Sequence, residues 1–507
     1  MSELLQYVIN GASVVFTVEN LTLIVLGTIV GLIAGSIPGL NAGNTCAMML
    51  PITLAFSMSS ALVFIVSVYM SVQYGGSITA ILINTPGASG AMATLLDGYP
   101  MCQQGKPAQA FGISLGASTF GGLLATIVCI VVLKPISQYA LNFRTVDIFL
   151  LSLIGISVII VISEKDPLKG GLAGAMGLLM AAIGAEPTYG LTRMTFGFFE
   201  LYEGIPMVAC MCGVFAFPAM ISLIGGKSLS NSGQGAEVGF KGIMQGVKLA
   251  FKYPVALIRS ALIGLFVGII PGAGVNAAAL MSYFQARTWS KNRDNFGKGG
   301  PEGIIASEAA NNAVAAGACV PALTIGIPGS NTAAVLLAAL TLKGITPGPR
   351  IMQTYGNEVY GVFIALLIAT VLMFLLGAVY TALASHIVKV DLSYMVPAVM
   401  LICIIGSYAT RQLIFDSYLF ILFGILGYLM VSAGYQYSPL VLGIVMGPIA
   451  ETNFAIAMNL SGGTYGIMFE TAISRVIWAI LVLTLLGPTV MKKMRHTKGK
   501  SSALNKV

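Results

Sequence analysis

The sequence predicts an all-α polytopic membrane protein with two homologous repeats that contain broken helices or re-entrant hairpins. Three observations support this fold class: an apolar composition, a pattern that occurs twice, and Pro-Gly pairs inside apolar segments. Of 507 residues, 57% are hydrophobic and only 9% are charged, whereas soluble chains carry about 25% charged residues. A water-soluble chain needs a polar exterior around each domain. A lipid bilayer is therefore the solvent that fits this composition.

Apolar segments follow one another along almost the whole chain. A helix needs about 20 apolar residues to cross a bilayer. The candidate segments are 20–40, 48–70, 73–96, 110–133, 146–163, 168–185, 204–225, 256–284, 304–325, 328–345, 357–387, 393–409, 412–433, 438–458 and 469–490. Some are short or contain Pro-Gly, so they are half-helices or hairpins, and we expect about 10–12 full spans.

The pattern Gly-x-x-x-Gly-x-x-Pro-Gly occurs at residues 31–39 and again at residues 264–272. Two looser matches follow in the same order: Pro86-Gly87 with Pro328-Gly329, and Val146-Asp147 with Val390-Asp391. Collinear matches indicate a duplicated unit of about 230–250 residues. We predict a first membrane repeat at 1–235, a second at 236–490 and a basic cytoplasmic tail at 491–507.

The formal charge of +8 comes from short basic runs between apolar segments, so we expect no nucleic-acid partner. The clearest runs are 227–259, 287–298 and the tail. Short basic loops mark the cytoplasmic side of a membrane, which places the tail and the 227–259 loop inside the cell. The segment Ser260–Ala286 has basic runs on both sides, which favours a re-entrant hairpin with Pro271-Gly272 at its tip. A surface helix followed by an ordinary span is the alternative.

Both halves carry two Pro-Gly breaks, each beside Asn, Ser or Thr. Pro removes a backbone donor and Gly permits unusual backbone angles, so together they unwind a helix. Paired breaks at matching positions of two repeats point to a transporter binding site. Freed amides and half-helix N-termini suit an anion, while freed carbonyls suit a hard cation. Kinks that serve only packing are the alternative.

We assign the residues of these breaks to two classes. The candidate substrate-binding residues are Asn41, Asn44, Thr85, Pro86, Gly87, Asn276, Gly329, Ser330, Asn331 and Thr332. The candidate cation-binding residues are Ser36, Gly39, Pro271, Gly272, Asn311 and Asn312. Glu308 shares a helical face with Asn311 and Asn312, and an ionisable residue beside apolar spans indicates function, although a loop or cap role is open. Asp97 suits a cap or anchor, and Glu451 is a weaker candidate.

Catalysis has no support in the sequence. The histidines are His386 and His496, and no nucleophile–His–acid set, transition-metal cluster or phosphate-binding loop is recognisable. The seven cysteines lie mostly in apolar runs, which is typical of buried, inert thiols. We therefore expect no enzyme activity and no cofactor other than a coupling ion.

Four stretches, in order along the chain, carry a family resemblance: Tyr74–Gly87, Asp97–Met101, Glu308–Ala313 and Gly326–Ser330. They resemble the large membrane subunit of tripartite tricarboxylate transporters, and the resemblance covers most of the chain. One departure is Ser307, which stands where the family has Pro before its Glu-Ala-Ala-Asn-Asn run.

The resemblance implies a permease of the bacterial inner membrane. It would work with a small membrane subunit of about four spans and a periplasmic solute-binding protein. Uptake of citrate or a related tri- or dicarboxylate would be driven by a cation gradient, with sodium as the expected coupling ion, through rigid-body motion of an elevator-like kind. The alternatives are a stand-alone ion-coupled symporter of another organic anion, and an intramembrane enzyme or lipid flippase.

Overall fold

Helices make up most of the part of the chain that the computed structural model describes, which is residues 2–162, 166–186, 190–224, 238–270, 274–383 and 395–482. The first half contains α1 (Ser2–Val15), α2 (Val18–Gly35), α3 (Ala42–Met49), α4 (Met58–Ile83), α5 (Met92–Gln103), α6 (Pro107–Ala140), α7 (Thr145–Ile162), α8 (Pro167–Ala181), α9 (Met207–Met211) and α10 (Phe217–Leu223). The second half contains α11 (Phe240–Ala250), α12 (Pro254–Ile269), α13 (Gly274–Trp289), α14 (Pro301–Ile325), α15 (Asn331–Leu342), α16 (Ile351–Ala382), α17 (Met395–Arg411), α18 (Ile414–Ser432), α19 (Ser438–Leu460) and α20 (Ala472–Val482).

Short elements continue or join these helices. Turns of 3-10 helix lie at Leu50–Ala55, Ser89–Ala91, Phe199–Leu201, Arg293–Asn295 and Tyr465–Phe469, and a π-helical turn at Cys212–Ala216 joins α9 to α10. Strands β1 (Gly184–Ala185) and β2 (Thr192–Arg193) pair antiparallel, with Gly184 opposite Arg193. The predicted all-α membrane fold is confirmed.

Six of the described helices are long and apolar enough to cross a bilayer: α2, α4, α6, α16, α18 and α19. Helices α11 and α12 together also qualify, although they are bent by 83°. The predicted 10–12 full spans exceed this number, because several apolar segments are broken into shorter helices. That figure stays a prediction.

Two compact units divide the chain. The first contains Met1–Ala140 and Pro206–Leu429, and the second contains Leu141–Ile205 and Met430–Val507. Each unit takes helices from both halves of the chain, so neither coincides with a predicted repeat. The repeat boundaries 1–235 and 236–490 stay a prediction, and the tail 491–507 lies outside the described residues.

Matched glycine contacts occur in the two halves of the first unit. A Cβ added at Gly75 of α4 would lie 3.0 Å from the Cα of Gly35 in α2. A Cβ added at Gly317 of α14 would lie 3.3 Å from the Cα of Gly268 in α12. Gly35 and Gly268 belong to the two copies of the sequence pattern. Small residues let helix backbones approach this closely, so the repeated pattern encodes the same helix pair twice.

Other helices pack across the halves. Helix α1 packs on α16, and α11 packs on α6. A Cβ added at Gly11 would lie 2.8 Å from the Cβ of Tyr360, and one added at Gly246 would lie 2.8 Å from the Cα of Gly112. The first helix of each half therefore packs against the long helix of the other half.

Each unit also contains a helix from one half that packs on helices from the other. In the first unit, a Cβ added at Gly213 would lie 2.7 Å from the Cβ of Phe423 in α18. In the second unit, α19 packs against α7 and α8, and a Cβ added at Gly177 would lie 3.0 Å from the Cα of Gly443.

Helices α12 and α13 form a hairpin. The Arg259 guanidinium, near the start of α12, lies 5.2 Å from the centre of the Trp289 ring at the end of α13. The chain therefore returns to the end from which it entered, as predicted for Ser260–Ala286. The first half has a similar return, because the Ser60 hydroxyl at the start of α4 lies 2.7 Å from Asn20 Oδ1 at the start of α2. The proposed tip residues Pro271 and Gly272 lie outside the described residues.

Candidate functional site

Half-helices begin directly after the described breaks. Asn41 caps α3, since its Oδ1 accepts the Asn44 N–H at 3.0 Å. Ser330 caps α15, since its Oγ accepts the Ala333 N–H at 3.2 Å. Both are preferred N-cap residue types, because a short polar side chain satisfies an amide that has no partner within the helix. The predicted substrate residues thus include the caps of two half-helices from different halves of the chain.

The N-termini of α3 and α15 lie against each other. A Cβ added at Gly43 would lie 3.3 Å from the Cβ of Asn331. Tyr69 of α4 closes the pair from one side, with its hydroxyl 3.1 Å from Ser330 Oγ. Both helix starts carry partial positive charge, because their first amides have no partner within the helix itself. We call this contact the first tip pair, and its polar groups suit a carboxylate.

A second tip pair joins the other two breaks. Helix α13 packs against α5 and the 3-10 turn Ser89–Ala91. A Cβ added at Gly90 would lie 2.6 Å from Val275 Cγ1, and it would also meet the Oδ1 atom of Asn311. Asn311 is fully buried, and no described residue donates a hydrogen bond to its Oδ1 atom. A buried acceptor therefore faces the second tip pair.

The predicted substrate residues divide between these two places. Asn41, Asn44, Ser330, Asn331 and Thr332 belong to the first tip pair, while Asn276 belongs to α13 in the second. Asn44 also donates its side-chain amide to the Gly39 carbonyl at 3.2 Å. The structure thus distributes the candidate residues over the two tip pairs, each of which joins a break of the first half to a break of the second half.

Gly87 and Gly329 have a packing role in this structure. A Cβ added at Gly87 would lie 2.8 Å from the Cα of Gly76, and one added at Gly329 would lie 3.0 Å from the Cα of Ala318. The Gly87 N–H also donates to the Gly76 carbonyl at 3.1 Å. These glycines, with Pro86 and Pro328 before them, hold each break against a helix of its own half. The Thr85 hydroxyl donates to the Ile83 carbonyl at 3.3 Å, and the Thr85 N–H donates to the Thr79 carbonyl at 3.5 Å.

The candidate cation residues are spread along the same region. The Ser36 hydroxyl lies 2.7 Å from the Tyr380 hydroxyl, and Gly39 has φ +91°, a conformation that suits glycine. Asn311 and Asn312 donate their side-chain amides to the carbonyls of Gln73 and Met70, at 3.0 and 3.1 Å. Their Oδ1 atoms accept no hydrogen bond from the described residues.

Charged side chains hold the segments around these sites. Asp97 Oδ1 accepts the backbone N–H groups of residues 298, 299 and 300 at 2.8–3.1 Å, and its Oδ2 accepts the Tyr283 hydroxyl. This arrangement supports the predicted anchor role.

Lys343 donates to the carbonyls of Leu54 and Phe56 at 3.1 and 2.7 Å. Glu451, by contrast, forms a bidentate ion pair with Arg193 at 2.6 and 3.0 Å.

Sequence reasoning missed Tyr69 and the hydroxyl groups around Glu308. Tyr69 precedes Pro86 by the same spacing as Asn311 precedes Pro328, so aligning the repeats could have found it. Glu308 of α14 accepts hydrogen bonds from Ser77 of α4, Thr94 of α5 and Ser118 of α6. No single stretch of sequence signals this cluster, because its members come from four helices.

Comparisons with known proteins identify the family. The sequence profile of the tripartite tricarboxylate transporter TctA family matches residues 21–442. An uncharacterized 52.8 kDa protein of the TAR-I ttuC' 3' region of Agrobacterium vitis is 32% identical over 499 residues, which cover 97% of this chain and 98% of that protein.

A second Agrobacterium vitis protein, from the TAR-II ttuC' 3' region, is 32% identical over 233 residues, which cover 45% of this chain and 96% of that protein. No solved structure matches significantly. The profile match spans most of the chain, including both described tip pairs. This multi-pass membrane protein therefore belongs to the tripartite tricarboxylate transporter TctA family, as the large permease subunit of a transporter.

Proposed function

We propose that this permease imports citrate or a related tri- or dicarboxylate, driven by a cation gradient, with sodium as the coupling ion. Family membership implies a small membrane subunit and a periplasmic binding protein as partners. We extend this to a small subunit of about four spans, a location in the bacterial inner membrane and a cytoplasmic C-terminus.

The first tip pair is the observation that carries the proposal. Two half-helices, α3 and α15, present their N-termini to each other beside Asn41, Ser330 and Asn331. Each N-terminus has amides without intrahelical partners and a partial positive charge. Two such ends offer a carboxylate both hydrogen bonds and electrostatic attraction without a buried basic side chain.

We also propose alternating access, which the same arrangement would allow. Because each tip pair joins the two halves, a substrate held there would experience any displacement between the surrounding helices. We propose rigid-body motion of a transport unit against a scaffold, of an elevator-like kind. Oxygen atoms at the breaks, including the backbone carbonyls and Asn311 Oδ1, suit a hard cation bound near the substrate.

Uptake of labelled citrate into vesicles tests this function. The three subunits together are expected to accumulate citrate under an inward sodium gradient, and uptake is expected to fall when potassium replaces sodium. Equal rates with and without the gradient would exclude sodium coupling. Uptake by this chain alone in proteoliposomes would favour a stand-alone symporter instead.

Alanine variants of the first tip pair test the site. Asn331→Ala and Thr332→Ala are expected to reduce uptake about tenfold or more, because each removes a polar group worth ~1–3 kcal/mol when buried. Thr341→Ala is the matched control, since Thr341 lies at the far end of α15 and donates only to Leu337. Full uptake by both tip variants would argue against this site.

A further inference from the structure

Glu308 is an acid buried at the centre of the first unit. Its side chain is fully inaccessible to solvent. Ser77 donates to Oε1 at 2.7 Å and Ser118 donates to Oε2 at 2.7 Å, while Thr94 also donates to Oε1. The Ser114 hydroxyl faces the same carboxyl group without a well-formed hydrogen bond. Four helices therefore direct oxygen atoms at one point.

No basic side chain in the described part of the chain forms an ion pair with Glu308. Among the described residues, the ion pairs are Lys134 with Glu3, Arg144 with Glu470, Arg193 with Glu451 and Arg411 with Asp416. An ionised carboxylate removed from water without a counter-charge is strongly unfavourable. Hydroxyl donors lower that cost only in part, so an ionised Glu308 requires a positive charge beside it, which a bound cation would supply, whereas a proton on the carboxyl group is the alternative.

The donor set suits a hard monovalent cation. Carboxylate and hydroxyl oxygens are the ligands of hard cations, whereas soft metals prefer sulfur or imidazole. Hydroxyl groups rotate, so the oxygens of Ser77, Thr94 and Ser118 can turn their lone pairs from donating to coordinating. Each of these three hydroxyls comes from a different helix, as expected of a site whose occupancy fixes helix positions.

The cluster is connected to the second tip pair. Thr94 lies on α5, which begins directly after the Ser89–Ala91 turn. Asn311 follows Glu308 by one turn of α14. Its Oδ1 atom faces Gly90, which lies in the Ser89–Ala91 3-10 turn. A cation at Glu308 would therefore tie α5 to α14, and its release would free the segment that leads into the second tip pair.

We propose that Glu308, with the hydroxyls of Ser77, Thr94 and Ser118, binds a sodium ion, and that this ion couples cation and substrate. The coupling role rests on the proposed function, whereas sodium binding itself does not. The alternative is a purely structural acid, solvated by hydroxyls and neutral, that binds no cation.

Sodium-dependent thermal stabilisation of the purified full chain tests the site, with choline chloride holding ionic strength constant and no substrate present. The wild type is expected to gain stability with sodium along a saturable curve. Glu308→Gln keeps the shape of the side chain and removes its charge. The sodium concentration at half-saturation is therefore expected to rise at least about tenfold. Ser118→Ala removes one ligand and is expected to shift half-saturation about fivefold.

Glu302→Gln, on the same helix, is the matched control and is expected to retain the wild-type curve. If Glu308→Gln does not fold, Ser118→Ala and Ser77→Ala carry the test. Wild-type half-saturation in Glu308→Gln, or in both hydroxyl variants, would overturn the proposal, as would a wild type that sodium does not stabilise. Because the measurement uses no substrate, sodium-driven citrate uptake would still support the proposed function after such a failure. Conversely, an intact sodium site without citrate uptake would refute only the proposed substrate.

Discussion

Gly87 and Gly329 occupy equivalent positions in the two halves and meet equivalent surroundings. Each follows a Pro and lies where backbone approaches backbone, Gly87 against Gly35 and Gly76, and Gly329 against Gly268 and Ala318. A methyl group has no space there, and backbone atoms cannot move aside as a flexible side chain can. These glycines therefore fix the position of each break, and through it the position of the following half-helix.

Gly87→Ala and Gly329→Ala are expected to destabilise the protein by at least ~1–3 kcal/mol, the usual cost of overpacking. Thermal unfolding of the purified variants measures this effect. Gly239→Ala is the control, since no heavy atom lies within 4 Å of a Cβ added there. If Gly87→Ala and Gly329→Ala unfold at the same temperature as Gly239→Ala, the packing role is contradicted.

Asp97→Asn is expected to cost about 1–3 kcal/mol, because one carboxylate serves both the N-terminus of α14 and Tyr283. An amide has only one acceptor oxygen, so one of the two groups loses its partner. The readout is again the unfolding temperature. Asp294→Asn, at an exposed position in the neighbouring 3-10 turn, should leave it unchanged, and equal stability of both variants would exclude an anchor role.

At the scale of elements, the α12–α13 hairpin predicts that its two ends lie on one face of the membrane. Cysteines at Lys252 and Lys291, both exposed, are expected to react with a membrane-impermeant maleimide from the same side. The native cysteines give little background, since six are buried and Cys102 is half-buried and replaceable by Ser. Labelling from opposite faces would show that the segment crosses the bilayer.

The first tip pair makes a separate prediction about its own geometry. Gly43→Cys and Asn331→Cys together are expected to form a disulfide on oxidation, because the two Cβ positions lie 3.3 Å apart, near the ~3.5–4.5 Å that a disulfide prefers. Peptide mass spectrometry would detect the cross-link. Either single variant serves as the control. Free thiols in the oxidised double variant would contradict the pairing.

At the scale of the whole molecule, packing between the two halves makes each half depend on the other. Helix α1 packs on α16, α11 packs on α6, and both tip pairs join residues from different halves. A half expressed alone would expose these helix faces, including the glycine-lined contacts at Gly11 and Gly246, without their partners.

Fragments 1–235 and 236–507 are therefore expected to assemble when they are produced together and to aggregate when each is produced alone. Size-exclusion chromatography of a fluorescently tagged first fragment distinguishes these outcomes, with the intact chain as the reference. A monodisperse peak from the first fragment alone would show that the halves are independent domains.

The sequence by itself determined the solvent and the helical class, and it predicts two related halves. Composition sets the solvent because lipid replaces the polar exterior that a soluble chain needs, and the Gly-x-x-x-Gly-x-x-Pro-Gly pattern encodes a local helix contact that recurs wherever the pattern recurs. The same local logic predicted Asn41 and Ser330 at the breaks, where N-caps depend on neighbouring residues alone.

Only the tertiary structure decided which breaks meet and what surrounds Glu308. The first break of one half pairs with the second break of the other. The breaks have similar local chemistry, so the packing of whole helices decides which of them meet. Glu308 has hydroxyl partners from α4, α5 and α6, and no periodicity along one segment records them. Long-range packing therefore formed the two tip pairs and the group of hydroxyls around Glu308. Residues distant in sequence become neighbours only when the helices that carry them pack together.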